Sequence, residues 1–349
     1  MASATNPKGK GLVLITGANG FVAGRTIESF LLSGYSVRGT VRSISSSSAL
    51  IAALKPFGSR FELVEVPDIT VPGAFDSAVK GVDFIAHVAA PVSFHFTDPE
   101  PVIHASYAGT TGILESAIKE PGVKHFVFMS SVVAVTTPVN KVFTEEDWNT
   151  VAEDIVREKG KEAGGYYIYQ ASKVAAERAL WKFREERKPA FGVTALNPVF
   201  VAGPSLVPYS SPEKVHEALW QWRDLLLGVP VEKAGLPSPM KGYVDVRDLA
   251  RLTRYAIEHS EETDGERYIV CGAGHGPTQS VADILREEVP EWRERIDVGK
   301  PGEGYMPGYV HPPSRGVDAS KAEKVLGAYI PWEKTVVDTA RSLEHLIPK

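Results

Sequence analysis

A doubly wound, parallel α/β sheet with a smaller, mostly C-terminal lobe is the architecture this sequence predicts, on three observations. Short apolar runs alternate with helix-length stretches through residues 10–200. A glycine-rich turn directly follows the first run, and past Pro198 the alternation gives way to clusters of Gly and Pro. LVLIT (12–16) is apolar without alternation, as a strand covered on both faces requires. The helical stretch behind it runs to Ser33, where Gly34 marks a stop. YSVRGTVR (35–42) reads as the second strand, and FELVEV (61–66), VDFIAHVA (82–89) and HFVFMSS (125–131) as the third to fifth. Helices are expected at 73–80 and 99–119, and a long helix ending near Arg187 leads to a sixth strand, GVTALNPV (192–199). Strands joined through helices lie parallel, so ligands are expected at their carboxyl ends.

In the second half Gly and Pro cluster at 203–212, 228–242, 272–277 and 299–316. Helical segments fall near 213–227, 246–258, 278–288, 319–327 and 333–346, and this half does not repeat the first.

Composition narrows the possible functions. A chain of 349 residues with 43% hydrophobic and 23% charged residues can bury a core without staples. Its net charge of −5 argues against nucleic acid and anionic membranes as partners. Cys271 is the only cysteine, which rules out an internal disulfide. The 9 histidines show no metal-binding spacing, so no metal is expected. No apolar window reaches the ~20 residues of a membrane span, and no targeting signal is evident, so the protein is expected to be soluble and cytoplasmic. The first ten residues, MASATNPKGK, are small and polar and are expected to be poorly ordered.

The turn Thr16-Gly17-Ala18-Asn19-Gly20-Phe21-Val22-Ala23 sits between a strand and a helix. Gly17 permits the bend, and Gly20 removes a side chain where a pyrophosphate would approach the helix N-terminus. Asn19, Phe21 and Val22 complete this phosphate-side set. The second strand ends in Arg42, where an acidic residue would favour NAD by bonding the ribose 2′-hydroxyl. A guanidinium suits a 2′-phosphate, so NADP(H) is expected; a plain surface arginine is the other reading. The serine-rich SISSSS (43–48) reads either as a solvated loop or as part of the phosphate side. Asp68 and Ile69 are placed for the adenine, and Val88, Ala89 and Ala90 for pyrophosphate and ribose. Pro198 and Val199, closing the sixth strand, complete the cofactor set. Residues 10–200 are therefore expected to form a Rossmann-type NADP-binding domain, with segments around 242–271 returning to it. Residues 201–241 and 272–349 are expected to form the substrate-binding lobe.

Tyr169 and Lys173 share one helix face at a spacing of four. Chance produces such pairs, so the location after the fifth strand carries the argument. Tyr169 suits proton transfer to a carbonyl oxygen. Lys173 would lower its pKa and hold the nicotinamide ribose. Ser131 would orient the carbonyl, with Ser130 as the competing choice.

TGANGFVA, VRGTVRS, HVAAPV, FVFMSS, YQASKVAAE, LNPVFVAGP and GYVDVRDLA, in this order, resemble the extended short-chain dehydrogenase/reductase family. The likeness covers about residues 10–347 and is greatest to its dihydroflavonol reductase-like branch, especially fungal NADPH-dependent aldehyde and methylglyoxal reductases. It implies the triad Ser131, Tyr169 and Lys173 and 4-pro-S hydride transfer. Two departures stand out. Ser106 occupies the place of a family Asn, and serines follow Arg42 where NADP-dependent relatives add a Lys.

Val92, Phe94, Val133, Phe200, Tyr209, Trp220 and Tyr243 are candidate substrate walls, for each of which core packing is the equal alternative. Their apolar character favours a small to medium aldehyde or ketone over a phosphate-bearing substrate. His87 and His125 read as satisfied core histidines, Cys271 as a buried strand residue, and TEEDW (144–148) as a capped, solvated turn. RALWKFREERK (178–188) reads as an exposed helix face, and a monomer or homodimer is expected. The expected function is NADPH-dependent carbonyl reduction. The alternatives are a sugar-nucleotide epimerase or dehydratase on the same fold and a non-catalytic NADP-sensing regulator.

Overall fold

The computed structural model describes residues 9–236, 242–272, 276–305 and 316–348. Most of the N-terminal segment expected to be poorly ordered lies outside these residues, as do parts of the last three Gly/Pro clusters. The first half runs β1 (Leu12–Ile15), α1 (Phe21–Leu32), β2 (Ser36–Val41), α2 (Ser48–Leu54), β3 (Phe61–Glu65), β4 (Phe84–His87), α3 (Pro99–Ala117), β5 (His125–Met129), β6 (Val142–Phe143), α4 (Val151–Lys159), α5 (Gly165–Arg187) and β7 (Gly192–Pro198). There follow β8 (Phe200–Ala202), α6 (Trp220–Leu226), β9 (Tyr243–Asp245), α7 (Val246–Glu258), α8 (Ser260–Thr263), β10 (Arg267–Val270), α9 (Thr278–Glu288), β11 (Gly316–Val317), α10 (Ser320–Leu326) and α11 (Trp332–Leu343).

Seven strands form one parallel sheet in the order β10-β7-β5-β4-β1-β2-β3. Successive side chains of a strand point to opposite faces, and the two layers of core follow from that. Val13 and Ile15 of β1, Val127 and Met129 of β5 and Leu196 of β7 join a cluster with Phe30, Leu31, Leu249 and Leu252 of α1 and α7. Leu14, Phe126, Phe128, Val193 and Ala195 face the other way, against Ile113, Leu114, Leu180 and Phe183 of α3 and α5. The first cluster runs on without a break into the lobe through Trp222, Leu225, Tyr243 and Val336.

The strand order reverses at β1, which pairs with β2 on one side and β4 on the other. That reversal opens a crevice at the carboxyl ends of β1 and β4.

Several elements depart from the sequence expectation. Residues 73–80 form successive turns rather than a helix, between Gly73 and Gly81 at positive φ, and still bury Phe75, Ala78 and Val79. The helix expected at 213–227 is broken because Val215 and His216 are extended, leaving single turns at 212–214 and 217–219 before α6. Cys271 lies just past β10 and is only partly buried. The TEEDW turn is capped as expected, Asp147 accepting from the Thr144 N–H, but it is docked rather than solvated. Glu145 accepts from the Ile269 N–H, and Arg267 donates to the carbonyls of Glu145 and Asp147. No helix among the described residues is long and apolar enough to cross a membrane.

Candidate active site

The ends of β1, β2, β4, β5 and β7 converge on a cavity of about 700 Å³. At its floor the glycine turn crosses the reversal point. Gly17 has a φ of +69°, and a Cβ there would sit 3.1 Å from Ala89 Cα, so the turn requires glycine. Gly17 N–H donates to Thr40 Oγ1 and Ala18 N–H to the Thr40 carbonyl, pinning the turn to β2. Gly20 caps α1 without a side-chain hydrogen bond. The N–H groups of Phe21, Val22 and Ala23 therefore have no intrahelical acceptor and present a positive end to the cavity.

Gly17, Gly20, Phe21, Val22, Arg42, Asp68, Ile69, Val88, Ala89, Ala90, Pro198 and Val199 all line this cavity. Asn19 does not. Its amide donates to Ser47 Oγ at 2.8 Å, and Ser47 donates to the Ser43 carbonyl, so Asn19 ties the turn to the serine-rich loop. That loop spends its hydroxyls on itself: Ser43 pairs with Ser45, and Ser46 bonds the Ser43 carbonyl. Arg42 is exposed at the rim, with no hydrogen bond or ion pair to any described residue. Asp68 accepts from the Thr70 hydroxyl and N–H, which holds its carboxyl below the usual range.

The candidate reacting groups come from the end of β5 and from α5. Tyr169, Lys173, Ser130 and Ser131 line the same cavity. Tyr169 is 7% and Lys173 4% exposed. Burial pushes the Tyr169 phenol up to about 12, with hydrogen bonding by Ser131 pulling the other way. The expected depression by Lys173 is thus absent from the chain by itself, because desolvation of the phenolate outweighs the attractions present. Burial also pulls Lys173 down to about 8 against the opposing field of Glu177, and its Nζ donates to the Met129 carbonyl at 3.3 Å.

The two serines separate cleanly. Ser130 donates to Glu177 Oε2 at 2.5 Å and is committed there. Ser131 interacts with Tyr169. Glu177, fully buried one turn beyond Lys173, also accepts from Asn197, Trp181 and Arg267. Ser106 Oγ on α3 is buried without a hydrogen-bond partner among the described residues.

Behind the site Thr16 fixes the state of His87. Thr16 Oγ1 accepts from the N–H groups of Val88 and Ala89, so its proton goes to His87 Nδ1 at 2.9 Å. His87 is therefore neutral with its own proton on Nε2, in accord with burial pulling its pKa down to about 3. His125 is only half satisfied. Its Nε2 meets Thr194 Oγ1 at 2.8 Å, while Nδ1 has no partner among the described residues.

Of the candidate substrate walls, Val92, Phe94, Val133 and Phe200 line the cavity, whereas Tyr209, Trp220 and Tyr243 lie outside the lining. Tyr243 packs against Trp222 and Trp332 in the lobe core. Trp220 donates its indole N–H to the Val215 carbonyl and stacks on Arg223. Tyr209 lies partly buried against the lobe core, with its carbonyl bonded by His345. Sequence reasoning missed Thr40, Ala105, Met129, His216, Ala218 and Leu249 in the lining. His216 lay inside a segment read as helix; in fact it breaks that helix and accepts the Ala218 N–H on Nδ1. Among the described residues no group of three or more His, Cys, Asp or Glu is placed to hold a metal.

This chain belongs to the extended short-chain dehydrogenase/reductases, within the NAD dependent epimerase/dehydratase family, whose model matches residues 13–272. It is 32% identical over 348 residues to the NADPH-dependent methylglyoxal reductase GRE2 of Saccharomyces cerevisiae, covering 95% of this chain and 97% of that one. Aldehyde reductase 2 of Sporidiobolus salmonicolor is 35% identical over 257 residues, covering 72% and 73% of the two chains. The crystal structure of the yeast methylglyoxal/isovaleraldehyde reductase Gre2 complexed with NADPH superposes with a TM-score of 0.81 at 31% identity, covering 95% and 98%.

Proposed function

We propose that this protein is an NADPH-dependent carbonyl reductase that converts an aldehyde or ketone to the alcohol. The observation that carries the reading is that Ser131, Tyr169 and Lys173 line one cavity with the glycine turn and Arg42. The relatives named for NADPH-dependent or aldehyde reduction point the same way.

The cavity fits a dinucleotide. Its floor is the glycine turn, packed so closely on Ala89 that only Gly17 fits, and α1 meets it with an N-terminus that no side chain caps. Gly17, Gly20, Phe21 and Val22 would hold the pyrophosphate and Arg42 the 2′-phosphate. Asp68 and Ile69 would flank the adenine, with Val88, Ala89 and Ala90 along the pyrophosphate and ribose. Lys173 would hold the nicotinamide ribose, beside Pro198 and Val199. Bound there, NADPH supplies the hydride.

The chain's own residues do the rest. Ser131 orients the carbonyl oxygen, and Tyr169 gives that oxygen its proton. A phenol held near 12 is fully protonated at neutral pH, the state that reduction needs. The Lys173 ammonium, one helical turn away, offsets the charge left on the phenol oxygen, which then recovers a proton from solvent. Among the described lining residues Arg42 and Lys173 are the only Lys or Arg. Both are assigned to the cofactor, which leaves no cation for a substrate diphosphate and disfavours the epimerase reading.

The test is NADPH oxidation with a panel of methylglyoxal, aryl aldehydes, β-ketoesters and a flavonoid ketone, with NADH alongside. Tyr169→Phe should lower kcat by about 10²–10⁴-fold. Unchanged turnover of every carbonyl the parent reduces would overturn the assignment, and no turnover by the parent would favour an NADP sensor.

A further inference from the structure

Residues 92–96, between β4 and α3, cross the substrate end of the cavity as a strap. Its Val92 and Phe94 line the cavity. The Phe94 ring meets Tyr169 edge-on at 5.4 Å and approaches Tyr166 at 5.8 Å and Phe200 at 6.0 Å. Phe94 is thus the strap's contact with the proton donor. The strap has no helix or strand of its own, so its position depends on what grips it from outside.

Two features grip its backbone, and His95 also packs against Trp220 of the lobe at 5.6 Å. On one side lies Gly165, the first residue of α5. A Cβ there would stand 2.2 Å from the Phe94 carbonyl oxygen and 2.7 Å from Phe96 N, so the strap backbone rests on the start of the helix that carries Tyr169. On the other side is the carboxylate of Glu217. Its Oε1 accepts from Ser93 Oγ at 3.0 Å and meets His95 Nδ1 at 3.3 Å, and its Oε2 accepts from Phe94 N–H at 2.9 Å. One side chain from the lobe therefore engages three successive strap residues. The exposed contact with His95 alone would hold little. The Phe94 N–H and Ser93 hydroxyl are part-buried, so losing their acceptor exposes the strap to release. Glu217 sits between His216 and Ala218, which also line the cavity, so it ties the strap to a lobe segment that borders the same cavity.

We propose that Glu217 is a positioning residue that latches the 92–96 strap across the substrate end and so sets how tightly a carbonyl is held beside Tyr169. The kinetic half of this rests on the carbonyl-reductase reading; the latch itself does not.

The full-length protein would be compared with Glu217→Ala and Glu217→Gln by hydrogen exchange, by steady-state kinetics on a carbonyl that the parent reduces, and by NADPH titration. In Glu217→Ala, exchange in residues 92–97 should quicken by about tenfold or more while the central strands hold their protection. KM for the carbonyl should rise by about tenfold, with kcat falling less than KM rises. Glu217→Gln, whose amide oxygen still accepts one N–H, should fall between the two and carries the comparison if the alanine variant does not fold. Unchanged strap exchange would overturn the latch. So would a KM rise matched by an equal loss of NADPH affinity, since that marks a general loosening of the lobe. A parent inert toward every carbonyl sinks the functional reading, while the exchange comparison still decides the latch.

Discussion

At the residue scale Arg42 and Lys173 show how one kind of charge serves two ends. Arg42 is exposed and spends its guanidinium on no described residue, which leaves it free to clamp an anion. A hydrogen bond to a charged group contributes about 1.5–3 kcal/mol. Arg42→Ala should therefore weaken NADPH binding by about 10–100-fold and leave NADH binding nearly unchanged. Titration of both cofactors checks this, and an unaltered preference would remove Arg42 from the 2′-phosphate. Lys173, by contrast, is buried and held near 8, close to losing its charge under mild conditions. The role proposed for it needs the charge, so the neighbour that preserves the charge matters as much as the residue.

That neighbour belongs to the scale of the element. Along α5, Tyr169, Lys173 and Glu177 recur every fourth position and present one line of side chains toward β5 and β7. Glu177 raises the pKa of Lys173, accepts the Ser130 hydroxyl and pairs with Arg267 at 2.6 Å. Removing one member of a buried pair costs about 3–5 kcal/mol. Glu177→Gln should destabilise by that order in urea unfolding. It should also move the alkaline fall of kcat to lower pH. The sign follows from the field: Lys173 loses its proton as pH rises through about 8, and without Glu177 it does so earlier. A stability loss with an unmoved alkaline limb would make Glu177 purely structural.

At the scale of the whole molecule, the two-sided sheet buries His87 and His125 in neutral form, with pKa values pulled down to about 3 and about 4 by desolvation. In the unfolded chain both return to about 6.5. Between about pH 6.5 and 4 the unfolded state binds more protons than the folded state, so stability falls as pH falls through that window. Each histidine contributes a slope of up to about 1.4 kcal/mol per pH unit. His87→Gln keeps an acceptor for Thr16 and abolishes that titration, so its urea-unfolding free energy should fall less steeply from pH 6.5 to 4. A slope equal to the parent's would show that His87 is not held neutral.

The sequence by itself determined the parallel sheet, the glycine turn after β1, the Tyr169–Lys173 face and the rim position of Arg42. Each rests on short-range physics: apolar runs between turn residues, a tight bend that needs Gly17, and the four-residue helical repeat. The same local rules located α7, α9, α10 and α11 in a half without the strand–helix alternation of the first. They failed at 73–80 and at 213–227, where a helical composition is overruled by glycines and by the extended Val215 and His216. Tertiary structure alone decided what depends on distant partners. Glu177 commits Ser130 across 47 positions, Tyr243 and Trp222 face the lobe core, and Glu217 reaches 122–124 positions back to the strap. A side chain's free valence is set by the neighbour that satisfies it, and in a doubly wound fold that neighbour lies many positions away along the chain.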